Sequence, residues 1–294
     1  MRAPTGGGLP LEPEGEWVQG LGPIADAHVH LFPPGVFEAI WRWFDRYAWN
    51  IRYRLHAEQV LEFLRARGVR RMVGLCYSHK PGLAPVLNRF MAELGAAHPE
   101  LLPLGTVLPG EPDAEAIVRE ALGPLRLRGL KIHCHVQRIA PDDPRLDPVY
   151  ALAAAAGRPV VIHAGREPSF AAYGVDVRAL CGADQIDRLL RRHPKLELVV
   201  PHLGVDEYPE YAALLDRHER LWLDTTMAIA GYFPGMAPPP ELFPGRARRL
   251  LYGTDFPNIP YAWDRELRQI ALAKLSAEER RALLWDNALA LFDR

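Results

Sequence analysis

Eight short apolar runs alternating with longer stretches of helical spacing constrain the fold of this chain more than any other feature. The runs occupy 24–32, 71–77, 101–108, 127–135, 159–165, 196–203, 221–227 and 250–255. They are continuously apolar rather than alternating, as expected of parallel strands buried on both faces. Helical patterns fill 56–67, 83–97, 113–122, 144–156, 184–193, 208–218, 264–274 and 277–292. Ser276 and Glu279 form a capping-box signature at the start of the last of these. Strand–helix units in this number predict a (β/α)8 TIM barrel. An open doubly wound sheet would carry a G-x-G-x-x-G turn after its first strand, and none follows His30.

The units span 21–294 and read as one domain, with 1–20 as a flexible lead-in containing three successive glycines. An insertion at 33–53 is dense in aromatics: Phe37, Trp41, Trp43, Phe44, Tyr47, Trp49 and Tyr53. It reads as an amphipathic helix on the barrel rim, or as a substrate lid or subunit contact, and is compatible with a homodimer. A Pro/Gly-rich loop at 233–244 is placed to border the same end.

Composition narrows the function classes. The 35 Lys+Arg balance 36 Asp+Glu for a net charge of -1, so no nucleic-acid partner is expected. An apolar content of 49% excludes a disordered chain, and three cysteines exclude a disulfide scaffold. No apolar run approaches the roughly 20 residues of a membrane span, and the N-terminus lacks the apolar core of a signal peptide. These features point to a cytoplasmic enzyme with a small-molecule substrate.

Polar residues collect where the strands end, which is where barrel enzymes place their chemistry. The first strand ends Asp26-Ala27-His28-Val29-His30. Residues i and i+2 of a strand share a face, so His28 and His30 form a ready metal chelate. The fourth strand offers Lys131, His133 and His135 on one face, with His135 nearest the rim. The fifth, sixth and eighth strands end at His163, His202 and Asp255. Any one of these histidines alone would pass for a core residue. The whole set needs partners, and one metal ion would satisfy it.

The D-x-H-x-H of strand one, G-x-K-x-H of strand four, histidines on strands five and six and G-T-D of strand eight resemble the amidohydrolase superfamily. The resemblance is closer to the amidohydrolase-related branch that includes aminocarboxymuconate-semialdehyde decarboxylase. The resemblance implies that His28, His30, His163 and Asp255 hold a divalent metal, one Zn2+ in the usual case. It implies that His202 and Asp255 are catalytic, with Asp255 accepting a proton from the metal-activated water. The expected reaction is hydrolysis of an amide, lactone or similar carbonyl substrate. The alternative within the same branch is non-oxidative, metal-dependent decarboxylation of an aromatic or muconate-like acid. A non-catalytic ligand-binding barrel is the third class.

Lys131 has two readings. In binuclear members of the superfamily a strand-four lysine is carboxylated and bridges a second metal; in a one-metal site it would anchor a substrate carboxylate. Only four of the 35 basic residues are lysine, and lysine, unlike arginine, can shed a proton or be carboxylated. His133 is a further ligand or a substrate contact. Arg166, just after strand five, is placed either to fork onto a substrate carboxylate or to pair with a neighbouring acid. Asp224 and Asp26 are placed to hydrogen-bond histidines of the set. Tyr77, His79 and Lys80 follow strand two within reach of the same end.

Overall fold

The computed structural model describes residues 12–14, 20–233, 243 and 245–294. Most of the lead-in and most of the 233–244 loop lie outside the described residues. Residues 12–14 dock on the body: Arg52 donates to the Glu12 carbonyl and to Glu14, which also pairs with Arg67.

The strands are β1 (Ile24–His30), β2 (Val69–Leu75), β3 (Leu101–Pro103), β4 (Gly105–Thr106), β5 (Leu130–His133), β6 (Val160–His163), β7 (Leu198–Val200), β8 (Leu221–Asp224) and β9 (Leu250–Leu251). All neighbouring pairs are parallel. β3 and β4 are two parts of one barrel strand, because Leu104 between them donates to the Gly74 carbonyl of β2 at 2.9 Å. The ring closes between its first and last strands. Ala27 donates to the Tyr252 carbonyl at 2.8 Å, and Asp255 donates to that of His28 at 3.0 Å. The expected eight-stranded barrel is the observed fold.

The helices are α1 (Pro34–Tyr47), α2 (Ala57–Ala66), α3 (Leu83–Ala97), α4 (Ala114–Leu122), α5 (Cys134–Gln137), α6 (Asp147–Ala155), α7 (Val177–Leu180), α8 (Ala183–Arg192), α9 (Tyr208–Arg217), α10 (Arg265–Leu272), α11 (Ala277–Arg281) and α12 (Asn287–Phe292). The capping box forms at α11, where Ser276 Oγ accepts the Glu279 amide and Glu279 accepts that of Ser276. α11 and α12 are joined by a π-helical segment, Ala282–Asp286. Within it the Leu283 carbonyl accepts the Tyr252 amide at 3.0 Å, tying the C-terminal helices to the last strand.

The core has two parts. The larger lies between strands and helices and takes Ile24, Val29, Met72 and Ile132 among others. The smaller fills the ring itself: Ala25, Ala27, Val73, Leu75, Leu102, Leu104, Val161, Val199 and Leu251 pack together. Ala288, Leu291 and Phe292 of α12 join this inner cluster and close its end. A fully buried side chain such as Phe292 contributes about 1.5–3 kcal/mol.

β1 contains the irregularity that shapes the site. Its register against β2 shifts between Asp26 and Val29. Ala25 and Ala27 belong to the inner cluster and Val29 to the outer one. Ala27 and His28 therefore both turn inward although they are adjacent, as a bulge allows.

Candidate active site

His28, His30 and Asp255 converge, with one ligand atom from each within 4.8 Å of the others. Asp255 Oδ1 lies 2.9 Å from His30 Nε2 and 3.3 Å from His28 Nε2. Atoms bound about 2.0–2.2 Å from a common centre lie roughly 3 Å apart, so these separations suit one divalent cation. Both rings are buried. Asp255 holds a left-handed backbone (φ 67), which a non-glycine residue adopts only where its surroundings impose it. Among the described residues no second group of three such ligand atoms converges.

Hydrogen bonds orient this cluster from behind. His28 Nδ1 donates to Asp224 Oδ2 at 2.8 Å, leaving Nε2 toward Asp255. Asp224 Oδ1 accepts the His202 and Thr226 amides. Asp26 accepts the His28 amide, the Thr254 amide and, at 2.6 Å, the Thr254 hydroxyl. It thus joins β1 to the residue preceding Asp255. The buried carboxylate of Asp224 fixes the ring orientation and tautomer of His28.

His202 Nδ1 donates to the Thr226 carbonyl at 2.9 Å, so its Nε2 carries a lone pair. His163 Nδ1, 3.1 Å away, donates to that lone pair. His163 Nε2 is then a buried acceptor with no partner among the described residues; His30 Nδ1 and His133 Nδ1 are also buried without a partner there. His133 stacks on His163 with centroids 4.3 Å apart. Lys131 Nζ is also buried and unpartnered. So many orphaned polar atoms in one place are costly without a ligand.

The electrostatics follow from burial. Burial lowers His28 to about 4, with Lys131 adding to the effect. It lowers His202, and it holds His163 and His133 well below the usual imidazole range. It lowers Lys131 to about 8. Burial works against ionisation of Asp224, yet the contact with His28 prevails and holds it at about 2. For Asp255 burial is likewise outweighed, by the His30 hydrogen bond and the neighbouring imidazoles, so it stays ionised well below the usual carboxylate range.

All of this opens on a cavity of about 360 Å³. His30, Lys131, His133, His163, His202 and Asp255 line its polar part. Val36, Ile40, Trp43 and Phe44 of the α1 insertion, with Trp49, Phe170 and Tyr173, line its apolar part. The aromatic insertion is therefore a wall of the site. Trp43 stacks on Tyr173 at 5.3 Å and meets Phe170 edge-on at 5.7 Å, closing the wall across two loops.

One placement differs from the sequence expectation, and others resolve alternatives that it left open. β5 ends at His133 and the chain turns into α5. Gln137 causes the turn, accepting the His133 amide and donating to the Ser78 and Val107 carbonyls. His135 thus leaves the strand, though it still lines the cavity beside His133 and His163. It is fully buried rather than at the rim, against the Gly165 carbonyl at 2.8 Å. Arg166 is not in the cavity lining; it pairs with Glu207 at 3.0 Å and donates to the Cys181 carbonyl. Of the three residues after strand two, Tyr77 and His79 line the cavity and Lys80 does not. Arg138 lines the cavity without any sequence signal, because only the α5 turn brings it there.

Behind Met227, another lining residue, Glu266 is fully buried and accepts the Met227 amide and the Tyr261 hydroxyl. Burial raises it to about 8, so it is protonated in the folded protein at neutral pH. Its unfolded value is near 4.5. The folded state therefore binds one proton more than the unfolded state between these values, and this contribution to stability is lost as pH rises from about 5 to 8. Glu266→Gln is expected to flatten that decline in urea titrations; an unchanged pH dependence would contradict a neutral Glu266.

The amidohydrolase family model matches residues 25–294. No curated protein is matched by the sequence. Among solved structures, an uncharacterized TIM-barrel protein from Bordetella bronchiseptica is 23% identical, with 92% of this chain and 99% of that one covered and a TM-score of 0.69. A 5-carboxyvanillate decarboxylase from Sphingomonas paucimobilis is 18% identical, covering 92% and 99%, with a TM-score of 0.64. A 5-carboxyvanillate decarboxylase from Novosphingobium aromaticivorans, complexed with manganese and 4-hydroxy-3-methoxy-5-nitrobenzoic acid, is 17% identical, covering 97% and 99%, with a TM-score of 0.61.

Proposed function

The chain belongs to the amidohydrolase family, and on that premise we propose that it is a metal-dependent decarboxylase releasing CO2 from an aromatic or muconate-like acid without oxidation. The observation that carries this reading is the wall of flat aromatic side chains facing the His/Asp cluster across one cavity. Such a wall suits a planar, conjugated body with its polar end at the cluster. Two of the similar structures are decarboxylases of an aromatic acid, one of them complexed with manganese.

In this reading His28, His30 and Asp255 hold one divalent cation, Zn2+ or Mn2+, and His163 completes the set through its unpartnered Nε2. A cation held there supplies Lewis acidity and lowers the pKa of water toward about 7. Lys131, buried and unpaired, faces the substrate carboxylate. His202 is neutral at pH 7, and its Nε2 lone pair, which accepts the His163 N–H, lies at the site. It takes up a proton and returns it to the carbon from which CO2 departs. The balance is one proton gained and one CO2 lost, with no net water.

A second reading, hydrolysis of a lactone or amide, is favoured by Asp255. It is ionised and 13% exposed to the cavity, so it is placed to accept a proton from an attacking water. The two reactions separate in water labelled with oxygen-18, tested with panels of hydroxybenzoic and muconic-type acids and of lactones and amides. Decarboxylation releases CO2 and leaves no label in the organic product; label in that product turns the assignment to hydrolysis. Chelation is expected to abolish turnover and added Mn2+ or Zn2+ to restore it. Turnover that survives thorough chelation overturns the metal assignment.

A further inference from the structure

The tripeptide Glu12-Pro13-Glu14 takes no part in the reaction above, yet it meets four arginines from separate places in the chain. Glu14 accepts from Arg52 Nη2 at 2.9 Å, from Arg67 Nε at 3.2 Å and from the Tyr53 hydroxyl at 3.0 Å. Glu12 accepts from Arg265 Nη1 and from the Ala262 amide, both at 3.2 Å, and faces Arg268 Nη1 at 3.5 Å. Its carbonyl takes a further hydrogen bond from Arg52. All six charged side chains are partly buried, so these pairs are screened less than pairs in open solvent. Pro13 fixes one backbone angle between the two acids, which lowers the entropy lost when the tripeptide is ordered.

The partners of each acid also hold a segment that carries cavity residues. Arg265 donates to the Ala230 carbonyl at 2.6 Å and to that of Gly231 at 3.3 Å, in the loop after β8 that contains the lining residue Met227. The Arg52 amide donates to the Ile259 carbonyl at 3.0 Å, and Trp49 Nε1 donates to that of Asn258 at 2.8 Å. Trp49 and Asn258 both line the cavity. Tyr53 and Phe63 each pack on Phe256, the residue after Asp255, with centroids 4.9 Å apart. The Arg67 guanidinium lies over the Phe63 ring, 3.4 Å from its centroid. One short acidic segment thus cross-links 49–53, 228–231 and 256–262. Loops open locally at far lower free energy than barrel strands, and charge-assisted hydrogen bonds oppose that opening.

We propose that Glu12 and Glu14 are positioning residues of the site: the lead-in is an ionic clasp, in which Glu12 steadies the loop after β8 and Glu14 steadies the end of the aromatic insertion against the turn after Asp255. This role is independent of which reaction the cavity performs.

The test is hydrogen–deuterium exchange, read by mass spectrometry, on the full Mn2+-loaded chain and on Glu12→Ala, Glu14→Ala and Glu12→Gln. In E12A, exchange in 228–231 is expected to rise about tenfold, the worth of one charge-assisted hydrogen bond, with 49–53 near native. In E14A the pattern is expected to reverse. E12Q keeps an acceptor oxygen without the charge and is expected to recover part of the protection of 228–231. Exchange in β5, β6 and β7 and the thermal midpoint are expected to stay near native in all three. Unchanged exchange in both loop segments overturns the clasp. So does a rise spread over the barrel strands with a lowered midpoint, because the tripeptide would then stabilise the whole fold rather than the site. The same comparison without Mn2+ is expected to give the same crossed pattern, so failure of the metal assignment would leave this result readable.

Discussion

Asp255→Asn is expected to lower turnover by about 10²–10⁴-fold in the hydrolytic reading, where Asp255 is a positioned proton-transfer group, and to lower it through loss of a charged ligand in the decarboxylating one. Oδ1 of Asp255 is the oxygen on which His28 and His30 converge. The carboxylate is ionised because the surrounding imidazoles outweigh the effect of burial. An amide keeps an oxygen that can still ligate but cannot accept a proton and carries no charge. Asn is also among the residues that best tolerate the left-handed backbone seen at this position. Folding should therefore survive and part of the metal should remain, with turnover lost. Measuring kcat beside metal content per chain and the thermal midpoint separates these effects. Turnover near that of the native enzyme would remove Asp255 from the reaction.

His163→Ala is expected to weaken metal binding by at least the about 10–100-fold that follows loss of an outer partner, with turnover falling alongside. Two interactions disappear at once. The buried Nε2, the only ring nitrogen of His163 without a partner, is removed. The N–H that His163 donates to His202 is removed as well, so the lone pair of His202 loses its orientation. Added Mn2+ in excess should recover little turnover, since the second loss is not one of affinity. A variant with full metal content and native turnover would place His163 outside the ligand set; circular dichroism distinguishes that result from unfolding.

The sequence was most legible where burial is symmetrical. The continuous apolar runs correspond to the barrel strands because both faces of each are covered, by helices outside and by the small inner cluster within. The limits of those runs were less legible at their C-terminal ends. The last strand was expected through Asp255, but regular pairing ends at Leu251. Beyond the strands, His202, Leu203, Met227 and Asp255 adopt positive φ. None of them is glycine, so no residue type announces the turn; only the assembled ring imposes it. His135 was misplaced for a related reason. The hydrogen bonds of Gln137 that end β5 reach the Ser78 and Val107 carbonyls, at sequence separations of 59 and 30, which a local reading does not see.

Asp224 shows the opposite case. Its place on the seventh run suggested that it backs a ligand histidine, and it stands 2.8 Å from His28 Nδ1. A carboxylate at a strand end can point into the barrel without knowledge of its neighbours, whereas the partner of Arg166 depends on where the loop before α9 returns. Alternation along a strand is a local property, and the meeting of two loops is not.

The bulge in β1 gives the first strand something like a reading frame. Upstream of it, Ala25 and Ala27 face the packed interior; downstream, His28 and His30 do so while Val29 faces the helices. Closing the bulge with every residue kept would restore plain alternation and turn both imidazoles into the outer layer, leaving a barrel with no chelate. Losing the one extra residue together with the bulge would keep both imidazoles inward and only shorten the strand. The bulge, as much as the identity of the residues around it, thus decides whether this strand presents a chelate to the site.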